Sequence, residues 1–464
     1  MPGPHEAINV NDRCRRLLAP MGQSHMEPLV ELANTVGPKQ RRPSLASARR
    51  RVFRALGPGL ITGASDDDPS GIGTYSQAGA QLGFGIGWTM LLTYPLMVAI
   101  QEISARIGRT TGHGIAGNIA RHYPDWLLQS LVLLLFVANI INIGADLGAM
   151  ADALKLLIGG VAIVYVALFG TVCVAAQIWL KYARYAAILR WSTLSLFGYV
   201  ATLLAVHVPW GEALRGVFVP RIELNGDFIT TLVAILGTTI SPYLFFWQSA
   251  LEAEDQRVKP GRQPLVDAPE QAPKAAARIR LDTLVGMGFS NLIALSIIIT
   301  TAATLHLRGV TDIASSAQAA EALRPIAGEF AFVIFALGII GTGLLAVPVL
   351  AGSAAYALGE ARRWPVGLAR RPREATAFYA ALGSATLIGV LMNLTPIDPI
   401  KALYWSAVIN GVAAAPVMIV MMHMSARRSI MGELTLGPGL RALGWTSTAA
   451  MALCTVGMVV TWLM

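Results

Sequence analysis

The chain has 464 residues, of which 54% are hydrophobic and only 14% charged, and its mean hydropathy is +0.56. Soluble domains carry about 25% charged residues, and a soluble chain of this length divides into domains joined by polar linkers, so a large soluble protein is set aside. The net charge of +9 is concentrated in the first 54 positions and in certain loops, which fits the positive-inside rule better than nucleic-acid binding; Cys14, Cys173 and Cys454 lie too far apart for a disulfide framework or a CxxC metal site.

Residues 1–50 are polar and carry Arg15-Arg16, Arg41-Arg42 and Arg49-Arg50-Arg51. No apolar core follows early enough for a cleavable signal peptide, so a disordered cytoplasmic tail is expected, with Met21 and Met26 as alternative starts. From there to residue 464 the pattern is that of one transmembrane domain. A spanning helix needs roughly 20 apolar residues. Eleven candidates lie near 57–82, 86–107, 127–155, 160–180, 186–207, 229–253, 280–303, 327–358, 376–393, 400–423 and 442–463. Long polar loops are expected at 208–228, 254–279, 304–325 and 359–375.

Starting from a cytoplasmic N-terminus, strict alternation places twenty Lys and Arg in the inside loops, clustered at 106–121, 181–190, 257–280, 362–373 and 427–441, against six outside. That bias supports both the alternation and a multi-pass protein of a bacterial-type inner membrane with its N-terminus inside.

The first span contains Ser65-Asp66-Asp67-Asp68-Pro69-Ser70-Gly71. A charge at bilayer depth costs about 2.5–3.5 kcal/mol on insertion scales and marks a wet cavity or a functional partner. Asp before Pro also reads as a helix N-cap with Pro at the first helical position, which divides the span into two half-helices. Asp66 and Asp67 either line an aqueous vestibule or sit nearer a surface. The sixth span contains Gly237-Thr238-Thr239-Ile240-Ser241-Pro242-Tyr243, again a capping residue before proline. Breaks five spans apart are the signature of two inverted five-helix repeats, about 57–207 and 229–423, followed by an extra helix at 442–463. In such folds the interrupted segments hold the ligand near the midplane. On the third span Asn139, Asn142 and Asp146 share one helical face, and Asp146 is a functional candidate or an interhelical hydrogen-bonding group. Glu102 and Arg106, one turn apart, read as an ion pair or a gate contact.

These residues resemble a known family. Gly57 to Phe84, with Asp68-Pro69-Ser70-Gly71 and Gln77-Ala78-Gly79, is similar to the first helix of the Nramp divalent-metal transporters. Gln101 to Gly112, Asp146-Leu147-Gly148, Gly237 to Ser249 and the segment opened by Asp398-Pro399 resemble their second, third, sixth and tenth helices. The resemblance runs from about residue 50 to the end and implies an all-α, LeuT-type fold of eleven or twelve helices.

The departures from the family pattern share one direction. Gly71 stands where Nramps have a metal-binding Asn. Thr238 and Ser241 stand for the Ala carbonyl and Met thioether, and Tyr243 and Gln248 for two histidines. Ala149 replaces a helix 3 carboxylate, and Ala407 a helix 10 Gln, with Asn410 one turn on. Replacing a soft thioether by hydroxyls favours hard cations, and Mg²⁺ keeps several waters that the space at Gly71 would admit. The pattern resembles the Nramp-related magnesium transporters, a branch implied to work with little or no proton coupling. Loss of the histidines fits that, since His titrates near neutral pH.

The expected function is therefore secondary import of Mg²⁺ and Mn²⁺ by alternating access. The expected metal ligands are Asp68, the space at Gly71, the Thr238 carbonyl and the Ser241 hydroxyl. The Ser65 carbonyl and Asn410 are additional candidates, and Asp146, Tyr243 and Gln248 form a proton path or gate. A proton-coupled Mn²⁺/Fe²⁺ importer and a sodium–amino acid symporter remain as alternatives. No enzyme is expected, because the seven histidines are scattered and no nucleophile–base pair stands out. Beyond the transported cation no cofactor is expected, and the partners are the metal ion and the lipid bilayer, with no nucleic acid and a monomeric state.

Overall fold

In lipid every backbone amide and carbonyl must be paired inside its own segment or within a closed barrel. This chain takes the helical solution throughout, with no strand among the described residues. The computed structural model describes residues 62–63, 65–180 and 196–463. The expected N-terminal tail, the start of the first span and the start of the fifth lie outside the described residues.

The helices in chain order are α1 Pro69–Leu82, α2 Trp88–Thr111, α3 Ile115–His122, α4 Asp125–Ile158, α5 Ala162–Trp179, α6 Phe197–Ala205, α7 Trp210–Phe218, α8 Gly226–Thr239 and α9 Pro242–Val258. They continue as α10 Ala272–Thr304, α11 Ser316–Glu321, α12 Arg324–Ala327, α13 Ala331–Ala361, α14 Thr376–Met392, α15 Pro399–Ala426, α16 Arg428–Met431 and α17 Pro438–Leu463. Where the residues are described, the sequence-predicted spans coincide with helix. By length and apolarity, seven segments of the described residues can cross a membrane, and an eighth results if α1 and α2, which meet at 111°, are taken together. The expected count of eleven is not confirmed by that measure: breaks leave α1 with 14 residues, α14 spans only 17, and the start of the fifth span lies outside the described residues.

Local chemistry explains the helix ends. Asp68 and Asp398 each precede a proline and accept backbone N–H groups of the following turn, so α1 and α15 begin alike. The expected loops hold short helices that the span pattern misses. One is α3, which has no capping side chain of its own; Glu360 at the end of α13 accepts the amides of Gly114 and Gly117, both at 2.8 Å.

The long helix α4 packs against α13, α14 and α15, α1 lies between α10 and α15, and α8 packs on α15. The α8–α15 crossing requires glycine: a Cβ on Gly237 would stand 2.0 Å from the Ala407 carbonyl oxygen and 2.4 Å from the Gly411 nitrogen. That close approach holds the second break against α15. The predicted Glu102–Arg106 pair forms, at 2.5 Å.

Candidate metal site at the helix breaks

Helical residues Thr62, Gly63, Ser65 and Asp66 lead into the first break, and the helix resumes at Pro69. Pro cannot donate an amide or continue the hydrogen-bond ladder, so Asp68 takes an extended backbone (φ −70°, ψ 169°) and caps α1. Its carboxylate gathers four donors. Oδ1 accepts the Gly71 amide at 2.7 Å and the Ser70 hydroxyl at 2.9 Å; Oδ2 accepts the Asn142 amide at 3.0 Å and the Tyr243 hydroxyl at 3.2 Å. Three helices, α1, α4 and α9, therefore meet on one side chain that is 1% exposed. The Tyr243 hydroxyl also lies 3.1 Å from the Ser65 carbonyl, which ties the two half-helices of the first span to α9.

The second break is built differently. Ser241 is extended before Pro242, but its hydroxyl caps nothing ahead of it. It donates backwards, to the Gly237 carbonyl at 2.7 Å and the Thr238 carbonyl at 2.9 Å. The expected capping role is thus corrected: the last carbonyls of α8 have lost their helical partners and the nearest hydroxyl satisfies them. The two breaks face each other at Gly71, where a Cβ would stand 3.1 Å from Thr238 Oγ1 and 3.4 Å from Asp68 Oδ1.

The chain matches the family described as natural resistance-associated macrophage protein-like over residues 59–461. It belongs to the Nramp family. It is 26% identical over 411 residues to the divalent metal cation transporter MntH of Deinococcus radiodurans, covering 85% of this chain and 87% of that one. It is 25% identical to the protein of the same name from Klebsiella pneumoniae, covering 88% and 94%. Among solved structures it is similar to the Eremococcus coleocola manganese transporter, with a TM-score of 0.70, 14% identity and coverage of 88% and 86%. The fold is that shared by Nramp structures, an all-helical LeuT-type arrangement, and the protein is a membrane transporter and not an enzyme.

Within this Nramp frame the structure gathers Asp68, Gly71, Thr238, Ser65 and Tyr243 around the first break, with Ser241 bonded to the Thr238 carbonyl. Asp146 lies one turn beyond Asn142 on α4, fully buried. Among the described residues neither of its oxygens has a hydrogen-bond partner of normal geometry, although the Ser70 amide acts on it. Asn410 is 1% exposed and both its polar atoms are unpartnered; it neighbours Gly411, the residue of α15 on which Gly237 packs. Gln248 is directed elsewhere: its side-chain oxygen accepts the Thr62 hydroxyl below the break rather than reaching Asp68.

Among the described residues Asp66 and Asp67 open to neither a vestibule nor a surface. At 0% and 2% exposure they are buried, and both contact the hydroxyl of Ser290 on α10, at 2.6 and 2.9 Å. Sequence reasoning assigned no role to Ser290 and did not pair Asn142 with Asp68. The spacing of Asn139, Asn142 and Asp146 was the available signal for the second; nothing in the sequence singles out Ser290.

Proposed function

We propose that this Nramp protein carries divalent metal cations, Mg²⁺ and Mn²⁺, across the membrane by alternating access, with weak or no proton coupling. It would work as a monomer in a bacterial-type inner membrane, with its N-terminus in the cytoplasm and import as the direction of transport. The observation that carries this reading is Asp68, a buried carboxylate at the tip of a broken helix whose hydrogen-bond partners present only oxygen and nitrogen. A hard carboxylate with hydroxyl and carbonyl neighbours favours hard cations over soft ones. The relatives' names, divalent metal cation transporter and manganese transporter, support the class of cargo.

In the proposed site Asp68 supplies the charge, and the Thr238 carbonyl and Ser241 hydroxyl supply neutral oxygens. The Ser65 carbonyl and Asn410 are additional donors. The open space expected at Gly71 is not present in this structure, where a Cβ would stand 3.1 Å from Thr238 Oγ1 and 3.4 Å from both the Asp66 carbonyl and Asp68 Oδ1; glycine lets the two breaks approach closely, and a reluctantly dehydrating Mg²⁺ would need them to part. Weak coupling is supported by the groups at the family's histidine positions. Tyr243 is engaged with Asp68 and the Ser65 carbonyl, and Gln248 with Thr62. Neither is a carrier of protons near neutral pH. Asp146, fully buried one turn from Asn142, is the remaining candidate carrier. Family membership sets the amino-acid symport alternative aside.

Uptake into liposomes tests the reading. Asp68→Ala is expected to abolish Mg²⁺ and Mn²⁺ uptake, and transport at the wild-type rate would remove Asp68 from the site. Proton flux recorded alongside uptake separates this reading from a proton-coupled Mn²⁺/Fe²⁺ importer. In calorimetry, tight Cd²⁺ binding without Mg²⁺ binding would overturn the hard-site argument.

A further inference from the structure

Lys and Arg are almost never fully buried unless paired, because the charge loses its hydration. Among the described residues one Lys or Arg is buried, Arg109 in the last turn of α2, at 3% exposure. It makes no ion pair. Its guanidinium donates to two neutral oxygens, the Gln263 carbonyl and, at 2.8 Å, the side chain of Gln271. Those bonds satisfy two of five N–H groups, and the carboxylates that act on it, Glu252 and Asp255, are themselves paired with Arg278 and Arg262.

Arg109 forms part of the wall of a cleft of about 380 Å³, with Arg262, Lys274 and Arg278 also on its walls and Glu270 as the lining carboxylate. Arg262 is paired with Asp255, and Arg278 with Glu252 at 2.5 Å, so both are held in place with their charge partly balanced. Lys274 is exposed and, among the described residues, makes no ion pair. The amino end of α10 opens beside it with no side-chain cap. With Arg262 and Arg278 paired and Glu270 set against Arg109 and Lys274, the cleft keeps a net positive charge, and one of its cations, Arg109, is a side chain that burial has largely stripped of water.

We propose that this cleft binds a phosphate group. Its oxygens match the planar forks of Arg109, Arg262 and Arg278, and it would give the buried guanidinium a direct ion-pair partner. The cleft lies among the loops that the charge bias assigns to the cytoplasm, so the phosphate belongs either to an anionic lipid headgroup of the inner leaflet or to a soluble phosphorylated anion. The inference does not depend on which metal is carried.

The test uses the full chain in two settings. In neutral detergent, tripolyphosphate is titrated by calorimetry with thermal unfolding in parallel. In nanodiscs, thermal unfolding is compared between pure phosphatidylcholine and mixtures containing phosphatidylglycerol. Wild type is expected to respond in at least one setting. Lys274→Gln, a change at an exposed side chain, is expected to weaken the response by about tenfold, the loss of one charge-assisted contact. Arg109→Gln is expected to weaken it further. A response to tripolyphosphate alone assigns a soluble anion; a response to phosphatidylglycerol alone assigns a headgroup. No response in either setting, or a response unchanged in both variants, overturns the proposal.

Discussion

At the first break an aspartate takes an extended conformation before proline and gathers four donors from three helices; at the second a serine takes the same conformation before proline and turns its hydroxyl back onto two carbonyls of its own helix. The backbone device is shared, and the electrostatics are opposite. One break concentrates negative charge on an oriented carboxylate, the other offers carbonyl oxygens whose helical partners are missing. A cation between them would meet charge from one side and neutral oxygens from the other.

Substitutions at the two breaks should therefore have unequal effects. Asp68→Asn keeps the size and one acceptor oxygen but removes the charge. Calorimetry is expected to show Mg²⁺ and Mn²⁺ affinity lower by on the order of a hundredfold, with α1 still capped, since Asn also caps helices. A small loss would mean that the breaks share the charge with Asp146. Gly71→Asn adds an amide beside Asp68, and Thr238 Oγ1 must yield because a Cβ there would stand 3.1 Å from it. Binding preference is expected to move from Mg²⁺ towards Mn²⁺, read as the ratio of the two affinities.

Ser241→Ala removes a neutral oxygen and frees the Gly237 and Thr238 carbonyls. Affinity should fall by about threefold, roughly 0.7 kcal/mol. No change would identify the second break as a prop for the first, contributing only its carbonyls. Tyr243→Phe should have the smallest effect on binding, because Gly71, Ser70 and Asn142 still orient Asp68. Thermal unfolding should nevertheless show a loss of about 1–2 kcal/mol for the hydroxyl shared with the Ser65 carbonyl. A large loss of binding in this variant would make Tyr243 part of the metal site itself.

The site was legible where its chemistry is local. Asp68 before Pro69 caps a helix because of its own short carboxylate and the ring beside it, and Glu102 meets Arg106 because residues four apart share a helical face. Ser241 marks the limit of such reading. The same hydroxyl can reach forward to a free amide or back to a free carbonyl, and residue type does not choose between them.

The sequence by itself determined that the chain is a bundle of membrane helices, that two of them are broken at Pro69 and Pro242, and that a carboxylate stands at one break. Apolar runs, proline and capping residues act on the backbone next to them. Only the tertiary structure decided that Asn142 and Tyr243 complete the setting of Asp68, that Ser290 sits between Asp66 and Asp67, and that Gln248 turns to Thr62. Those partners lie tens to hundreds of residues apart, and which of many buried polar groups meet depends on how the helices cross, as Gly237 against Gly411 shows.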